Sequence, residues 1–268
     1  MPVTPTEFVI EHAPWSISKL NLAAQCPHAF HQKYVVGRKM GFPLSSDALV
    51  GNAVHTLLEF LMKGHPLKAA HRAAVNKYGL TTMEIERVVA FHPAITSFQK
   101  RMAAYFNRCR AEKPVLEQQY AIDFEGNSVG YWSKKGFLRG AIDLSVQFQG
   151  KPYALILDHK SGKAKPLEQY EWQFASYKLL FRAHHPDVQK VQLCINHLFT
   201  ESVDMVKGMH DVRDVSAMLD TFMDYANRQT RSSYNHRVTR KSPLCGWCDY
   251  QSICPAHGNY DGNKTKQR

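Results

Sequence analysis

The feature that most constrains this chain is a change of hydrophobic period near residue 115. Before it, apolar residues recur every three or four positions. Leu49, Val50, Val54, Leu57, Leu58 and Leu61 share one face of a helix predicted over residues 47–62, with His55 and Glu59 together on its edge. A helix is also predicted after Ser16, whose hydroxyl can accept from free backbone amides, up to the Cys26-Pro27 break. A further helical piece carries Phe30 and Tyr34, and others cover about 67–78 and, either side of Pro93, about 83–111. From Val115 the pattern is that of strands, over 115–124, 136–148 and 153–158. Glu125-Gly126-Asn127 and Gly150-Lys151-Pro152 supply turn signals, so the three strands read as a meander. A helix over 167–183, strands over 191–199 and 202–206, and a helix from 212 to about 228 follow. This order predicts an α/β (α+β) protein whose N-terminal portion is helical.

At 268 residues, 44% of them hydrophobic, the chain can bury a substantial core. The expected organisation is a helical portion over 1–112, a core over 113–210, a C-terminal helix and cysteine-rich segment over 211–257, and a loose basic tail over 258–268. No run reaches the roughly 18 apolar residues of a membrane span, and the start has no secretory pattern. The expectation is a cytoplasmic protein without membrane contact. Lysine and arginine exceed aspartate and glutamate by 34 to 23, a surplus spread along the chain that attracts polyanions without saying which. Six cysteines without a signal peptide argue for reduced thiols rather than a disulfide scaffold.

Asp143 lies near the end of one predicted strand, and Asp158-His159-Lys160 ends the next after Ala154-Leu155-Ile156-Leu157. Pairing through the turn near Gly150 would bring both carboxylates to one end of the sheet, where oxygen ligands suit Mg²⁺ or Mn²⁺. Lys160 is two residues beyond Asp158, and the strand period of two places both side chains on one face. There an ammonium can orient a water or stabilise charge growing on a phosphate. In isolation such an Asp-x-Lys pair is an ordinary surface feature. Its company decides.

That company is Gly51-Asn52-Ala53-Val54-His55, then Gly-Ala-Ile-Asp at 140–143, Ile-Leu-Asp-His-Lys-Ser-Gly at 156–162, and Gln173 with Tyr177 four residues on. Together these resemble the RecB-type branch of the PD-(D/E)xK nucleases, which includes helicase-associated exonucleases of the AddB type, CRISPR adaptation exonucleases and many phage exonucleases. The resemblance implies a restriction-endonuclease-like mixed sheet flanked by helices. It implies a bacterial or phage-infected cell as the setting. By the same resemblance His55, Asp143 and Asp158 bind the metal, with the backbone carbonyl of His159 a further ligand. Lys160 becomes the catalytic lysine, and Gln173 and Tyr177 contact the substrate strand and support the site. Glu59 could orient His55 or hold a water. His159 stands where the branch has an apolar or aromatic residue, and Ser161 where it has threonine; His159 could tune metal preference or pH response. The implied activity is exonucleolytic hydrolysis of single-stranded DNA or DNA ends in recombination, repair or phage DNA processing. A catalytically silent DNA-binding protein of the same fold is the alternative.

Cys245-Gly246-Trp247-Cys248 followed by Cys254-Pro255 can direct three thiolates at one centre. Cys26-Pro27 supplies a fourth if the ends of the chain meet, and the branch just named has members with one cysteine before the core and three after. Four thiolates suit a 4Fe-4S cluster or tetrahedral zinc. Zinc usually gathers two close pairs, so one plus three with a trailing proline looks like the iron–sulfur version. Cys109 and Cys194 fall in helical and strand patterns and are expected to be buried small apolar residues. Gly37-Arg38-Lys39-Met40-Gly41 and Lys134-Lys135 offer phosphate contacts, and Tyr131, Trp132 and Trp172 could stack on bases; a solvated basic surface and core aromatics would serve equally. No P-loop or helicase motif is visible, so any unwinding calls for a helicase or recombination partner.

Overall fold

The computed structural model describes residues 5–39, 44–231, 233, 239–242, 245–246 and 248–257. The expected basic tail, 258–268, and Met40 and Gly41 of the basic turn lie outside the described residues. Among the described residues no helix is long and apolar enough to cross a membrane. In chain order the helices are α1 (Pro5–Glu11), α2 (Ile17–Gln25), α3 (Pro27–Phe30, running into a π-helical turn), α4 (Ser46–Met62), α5 (Leu67–Tyr78), α6 (Thr82–Val89), α7 (His92–Arg108), α8 (Glu171–His184) and α9 (Val215–Thr230). The strands are β1 (Val115–Ile122), β2 (Ser128–Val129), β3 (Leu138–Gln147), β4 (Tyr153–Lys160), β5 (Lys190–His197), β6 (Ser202–Met205) and β7 (His210–Asp211). They form two compact units interleaved along the chain. Pro43–Tyr120 with Gly140–Val215 make one, here the sheet unit; Met1–Phe42, Ala121–Arg139 and Ser216–Arg268 make the other, the terminal unit.

The strand order is β2-β1-β3-β4-β5-β6, with β7 also on β5. β3 and β4 are antiparallel, with Leu144 opposite Leu157 and Val146 opposite Leu155. β4 and β5 are parallel, which requires a crossover, and α8 provides it. β4 is buried from Ala154 to His159, as an apolar run covered on both faces must be. On one face Leu144, Val146, Leu155 and Leu157 join Val50, Val54 and Leu57 of α4 and Phe98 of α7 in a single core. Each leucine removed from water there contributes about 1.5–3 kcal/mol. On the other face α8 packs closely: a Cβ on Gly140 would lie 3.1 Å from Leu180 Cδ1. Two helices of this unit begin on amides capped by a side chain. Ser45 accepts from Ala48 N–H at the start of α4, and Thr81 with Glu84 forms a reciprocal capping box on α6.

In the terminal unit Trp15, Phe30, Phe137, Leu138 and Phe222 are fully buried. Trp15 stacks on Phe30 with ring centroids 5.6 Å apart, and its indole N–H donates to the Val9 carbonyl at 2.8 Å. Its backbone brackets β3, since Trp15 N–H donates to Phe137 O and Arg139 N–H to Trp15 O. The last carbonyls of α2 have no partner within the helix. The C-terminal segment supplies two: Ser233 Oγ donates to Ala23 O at 3.1 Å and Arg240 Nη1 to Ala24 O at 2.6 Å. Tyr250 Oη donates to Arg38 O at 3.2 Å. The ends of the chain therefore meet beside Cys26. Helix α1 was not expected from the sequence; at 7 residues it offers too few repeats to register as a period, and buried Phe8 and Val9 anchor it.

Candidate active site

The strand period turns Asp158 and Lys160 to the α8 side of β4. Asp158, 2% exposed, receives two donors from α8 on Oδ1: Tyr177 Oη at 2.6 Å and Gln173 Nε2 at 2.7 Å. Gln173 Nε2 also reaches Tyr177 Oη at 2.7 Å, so the two residues, one helical turn apart, hold the carboxylate as a unit. Burial, then the negative charges of Asp158 and Asp143, push the Tyr177 hydroxyl well above its ordinary pKa, so it stays a donor. Asp158 Oδ2 is buried without a well-aligned hydrogen bond, and Lys160 Nζ stands 2.6 Å from it. Lys160 also lies over the Tyr170 ring at 5.4 Å.

Asp143 is fixed by an interruption of the sheet. The paired register of β3 and β4 runs up to Leu144 opposite Leu157, and at the next step Asp143 Oδ2 accepts the His159 N–H at 2.7 Å. A side-chain carboxylate thus takes a backbone amide of the strand that carries Asp158. Burial, then the charge of Asp158, raise the Asp143 carboxyl to about 7, against the opposing influence of His55. His55, from α4, places Nδ1 3.5 Å from Asp143 Oδ2 and 3.8 Å from Glu117 Oε1. Burial lowers its pKa, but the acceptors Glu117 and Asp143 and the charge of Asp158 outweigh burial and leave it raised. One turn earlier, a Cβ on Gly51 would lie 3.1 Å from Ser161 Oγ, so the glycine lets α4 approach the end of β4 closely.

Glu117 escaped the sequence reading. It stands near the start of β1, where nothing in Val115-Leu116-Glu117-Gln118-Gln119 marks one polar residue above another. Its φ is +50°, a left-handed conformation that costs a residue with a side chain about 1–2 kcal/mol. Ligand atoms of His55, Glu117 and Asp143 lie within 4.8 Å of one another, close enough to share one cation. The donor set, two carboxylates and an imidazole, fits Mg²⁺ or Mn²⁺. The sequence reading grouped His55, Asp143 and Asp158. The structure brings the first two together with Glu117, while the oxygens of Asp158 face Lys160, Gln173 and Tyr177.

His159 puts its side chain on the opposite face from Asp158. Its Nδ1 accepts from Asn196 Nδ2 at 3.0 Å, and its ring meets Phe98 edge-on at 5.2 Å. Burial, then His55 and Lys160, hold its pKa well below the usual histidine value, so it is neutral. Glu59 lines the same cavity of about 510 Å³ as His55, Glu117 and Ser161, and pairs with Lys63 Nζ at 2.5 Å.

In the terminal unit Cys26, Cys245, Cys248 and Cys254 line one cavity of about 260 Å³. Burial raises the pKa of the Cys248 thiol, and the neighbouring thiols of Cys26, Cys245 and Cys254 raise it further. A tight turn organises the group: Cys245 O accepts from Cys248 N–H at 3.2 Å and from the Gln251 side-chain amide. Cys194 is buried and Cys109 partly buried against the sheet-unit core.

A strand end of this kind, charged on an otherwise apolar sheet and able to take a hard cation, suits enzymes that break phosphodiester bonds. Comparison with protein families makes that class specific: the model of the PD-(D/E)XK nuclease superfamily matches residues 14–255, and the chain belongs to that superfamily. The mixed sheet with helices on its faces is the restriction-endonuclease-like arrangement of that family. No curated protein matches the chain. A solved structure described as "Crystal structure of SSO0001" is similar over 94% of this chain and 96% of that one, at 15% identity and a TM-score of 0.34, too low a likeness to carry an argument about function.

Proposed function

We propose that the protein is a Mg²⁺- or Mn²⁺-dependent deoxyribonuclease of the RecB-type branch, an exonuclease acting on single-stranded DNA or on DNA ends. The carrying observation is the lock between Asp143 and the His159 amide, which sets one carboxylate beside the strand end where Asp158 and Lys160 meet at 2.6 Å. His55, Glu117 and Asp143 hold the cation, and by the resemblance Asp158 and the His159 carbonyl complete its ligands. When bound, it supplies Lewis-acid polarisation of the scissile phosphate and acidification of a water. Lys160, oriented by Asp158, places an ammonium where charge develops on the phosphate. Gln173 and Tyr177 keep Asp158 in one rotamer and present polar edges to the substrate strand, while neutral His159 braces β4 through Asn196.

The four thiols hold a 4Fe-4S cluster that joins the two ends of the chain in the terminal unit. The reading is supported by the four thiols lining one cavity and by their one-plus-three spacing along the chain. The cluster is structural, since closing the long loop between Cys26 and Cys245 removes freedom from the unfolded chain. Reduced thiols suit a cytoplasmic setting, and the resemblance to helicase-associated exonucleases suits action beside a helicase or recombination partner.

Digestion of 5′- and 3′-labelled oligonucleotides with Mn²⁺ tests the reading and reports polarity. Wild-type protein should shorten single strands from one end, and Lys160→Ala should be slower by about 10²-fold or more. Equal and negligible digestion by both, with DNA still bound, would leave a silent binding protein instead. Anaerobically purified protein should absorb broadly near roughly 400 nm; colourless protein containing zinc would replace the cluster with a zinc site.

A further inference from the structure

We propose that Trp132 is the stacking platform of a single-strand binding subsite on the terminal unit, taking the face of an unpaired nucleobase while neighbouring cations take its phosphates. The proposal rests on the reading of DNA as substrate. Trp132 is 77% exposed, where burying a tryptophan normally repays its large apolar area. Its loop is firmly built. Gly130 O accepts from Ser133 N–H at 2.8 Å, Ser133 O from Gly136 N–H at 3.2 Å, and Ser133 Oγ from Lys135 N–H at 3.2 Å. Beyond it Phe137 and Leu138 are fully buried, and a Cβ on Gly136 would lie 3.2 Å from Ser133 O. The indole is thus held out in water by an ordered turn.

Its surroundings select the ligand. Tyr131 meets Trp132 edge-on, with centroids 4.9 Å apart at 89°. The Arg139 guanidinium lies over both rings, 5.2 Å from the Trp132 centroid and 5.5 Å from that of Tyr131. A cation over an aromatic face strengthens a platform for electron-rich bases and adds charge for the strand they belong to. Lys134 and Lys135 follow directly and are exposed, and residues 130–139 contain no acid. An aromatic ring among cations fits a polyanion that offers π faces. Duplex DNA hides those faces in its own stack, whereas a single strand presents them.

Fluorescence anisotropy with a labelled oligo(dT), on the full chain in EDTA so that nothing is cleaved, tests the proposal. Trp132→Ala should weaken binding about ten-fold, and Trp132→Phe should keep most of the affinity. An abasic oligonucleotide of equal length should bind wild type and Trp132→Ala alike, since it has phosphates without bases. Unchanged oligo(dT) binding by Trp132→Ala, an equal loss on the abasic strand, or a loss in Trp132→Phe as large as in Trp132→Ala would each overturn it. Cleavage with Mn²⁺ is a separate readout. Binding through Trp132 without cleavage sinks the nuclease reading alone, and cleavage without a Trp132 effect sinks the stacking reading alone.

Discussion

Asp143 sits under two opposed demands. To serve as the proposed ligand of the cation it must be ionised, yet burial and Asp158 raise its carboxyl to about 7. Its unfolded value is near 3.9, so between about pH 4 and 7 the folded state binds a proton that the unfolded chain releases. That contribution is fully present below the unfolded pKa and is lost as pH rises through 7. Urea denaturation in EDTA should show wild type losing stability between about pH 4 and 7, with a shallower loss in Asp143→Asn, which carries no such proton. His55, also raised, acts with the same sign. Cation uptake must displace both protons, so Mn²⁺ affinity should tighten from about pH 6 to 8, and calorimetry in buffers of different ionisation heat should register proton release. Glu117 carries strain of another sort. Replacing it by glycine should raise the melting temperature of metal-free protein, because glycine accepts a φ of +50°, while weakening Mn²⁺ binding about ten-fold or more.

At the scale of elements, the site depends on how closely α4 and α8 reach the end of β4. Both approaches pass over a glycine: Gly51 beneath Ser161 and Gly140 beneath Leu180, each with 3.1 Å for an added Cβ. Gly140→Val should therefore overpack the α8 side and cost about 1–3 kcal/mol in urea denaturation. Leu180→Ala in that background should cost less than it does alone, because it makes the room the valine needs. The motif glycines are thus packing devices that bring Gln173, Tyr177 and His55 within reach of the strand end. Strand β4 was legible in the sequence because an uninterrupted apolar run stopped at three polar residues. The short elements α1, β2 and β7 were not, since their few residues carry no period and exist through partners elsewhere in the chain.

At the scale of the molecule, charge and the proposed cluster make their own predictions. A surplus of +11 and exposed lysines imply binding through phosphates, so DNA affinity should fall linearly with salt on logarithmic axes. With the proposed cluster in place, Cys248→Ser should remove the absorption near roughly 400 nm and lower the melting temperature, since such a group would tie the segment of Cys26 to that of Cys248. The two compact units interleave segments that the sequence set out one after another, so no linker marked them. What the sequence by itself determined were the longer elements and the chemistry of the motif residues, because hydrophobic period and donor type are local properties. Asp143, Asp158, Lys160, Gln173 and Tyr177 belong to that class. Only the tertiary structure decided that Glu117 joins His55 and Asp143, while Asp158 turns to α8. That choice depends on one left-handed residue in β1 and on the close seating of α4, and no spacing along the chain encodes either.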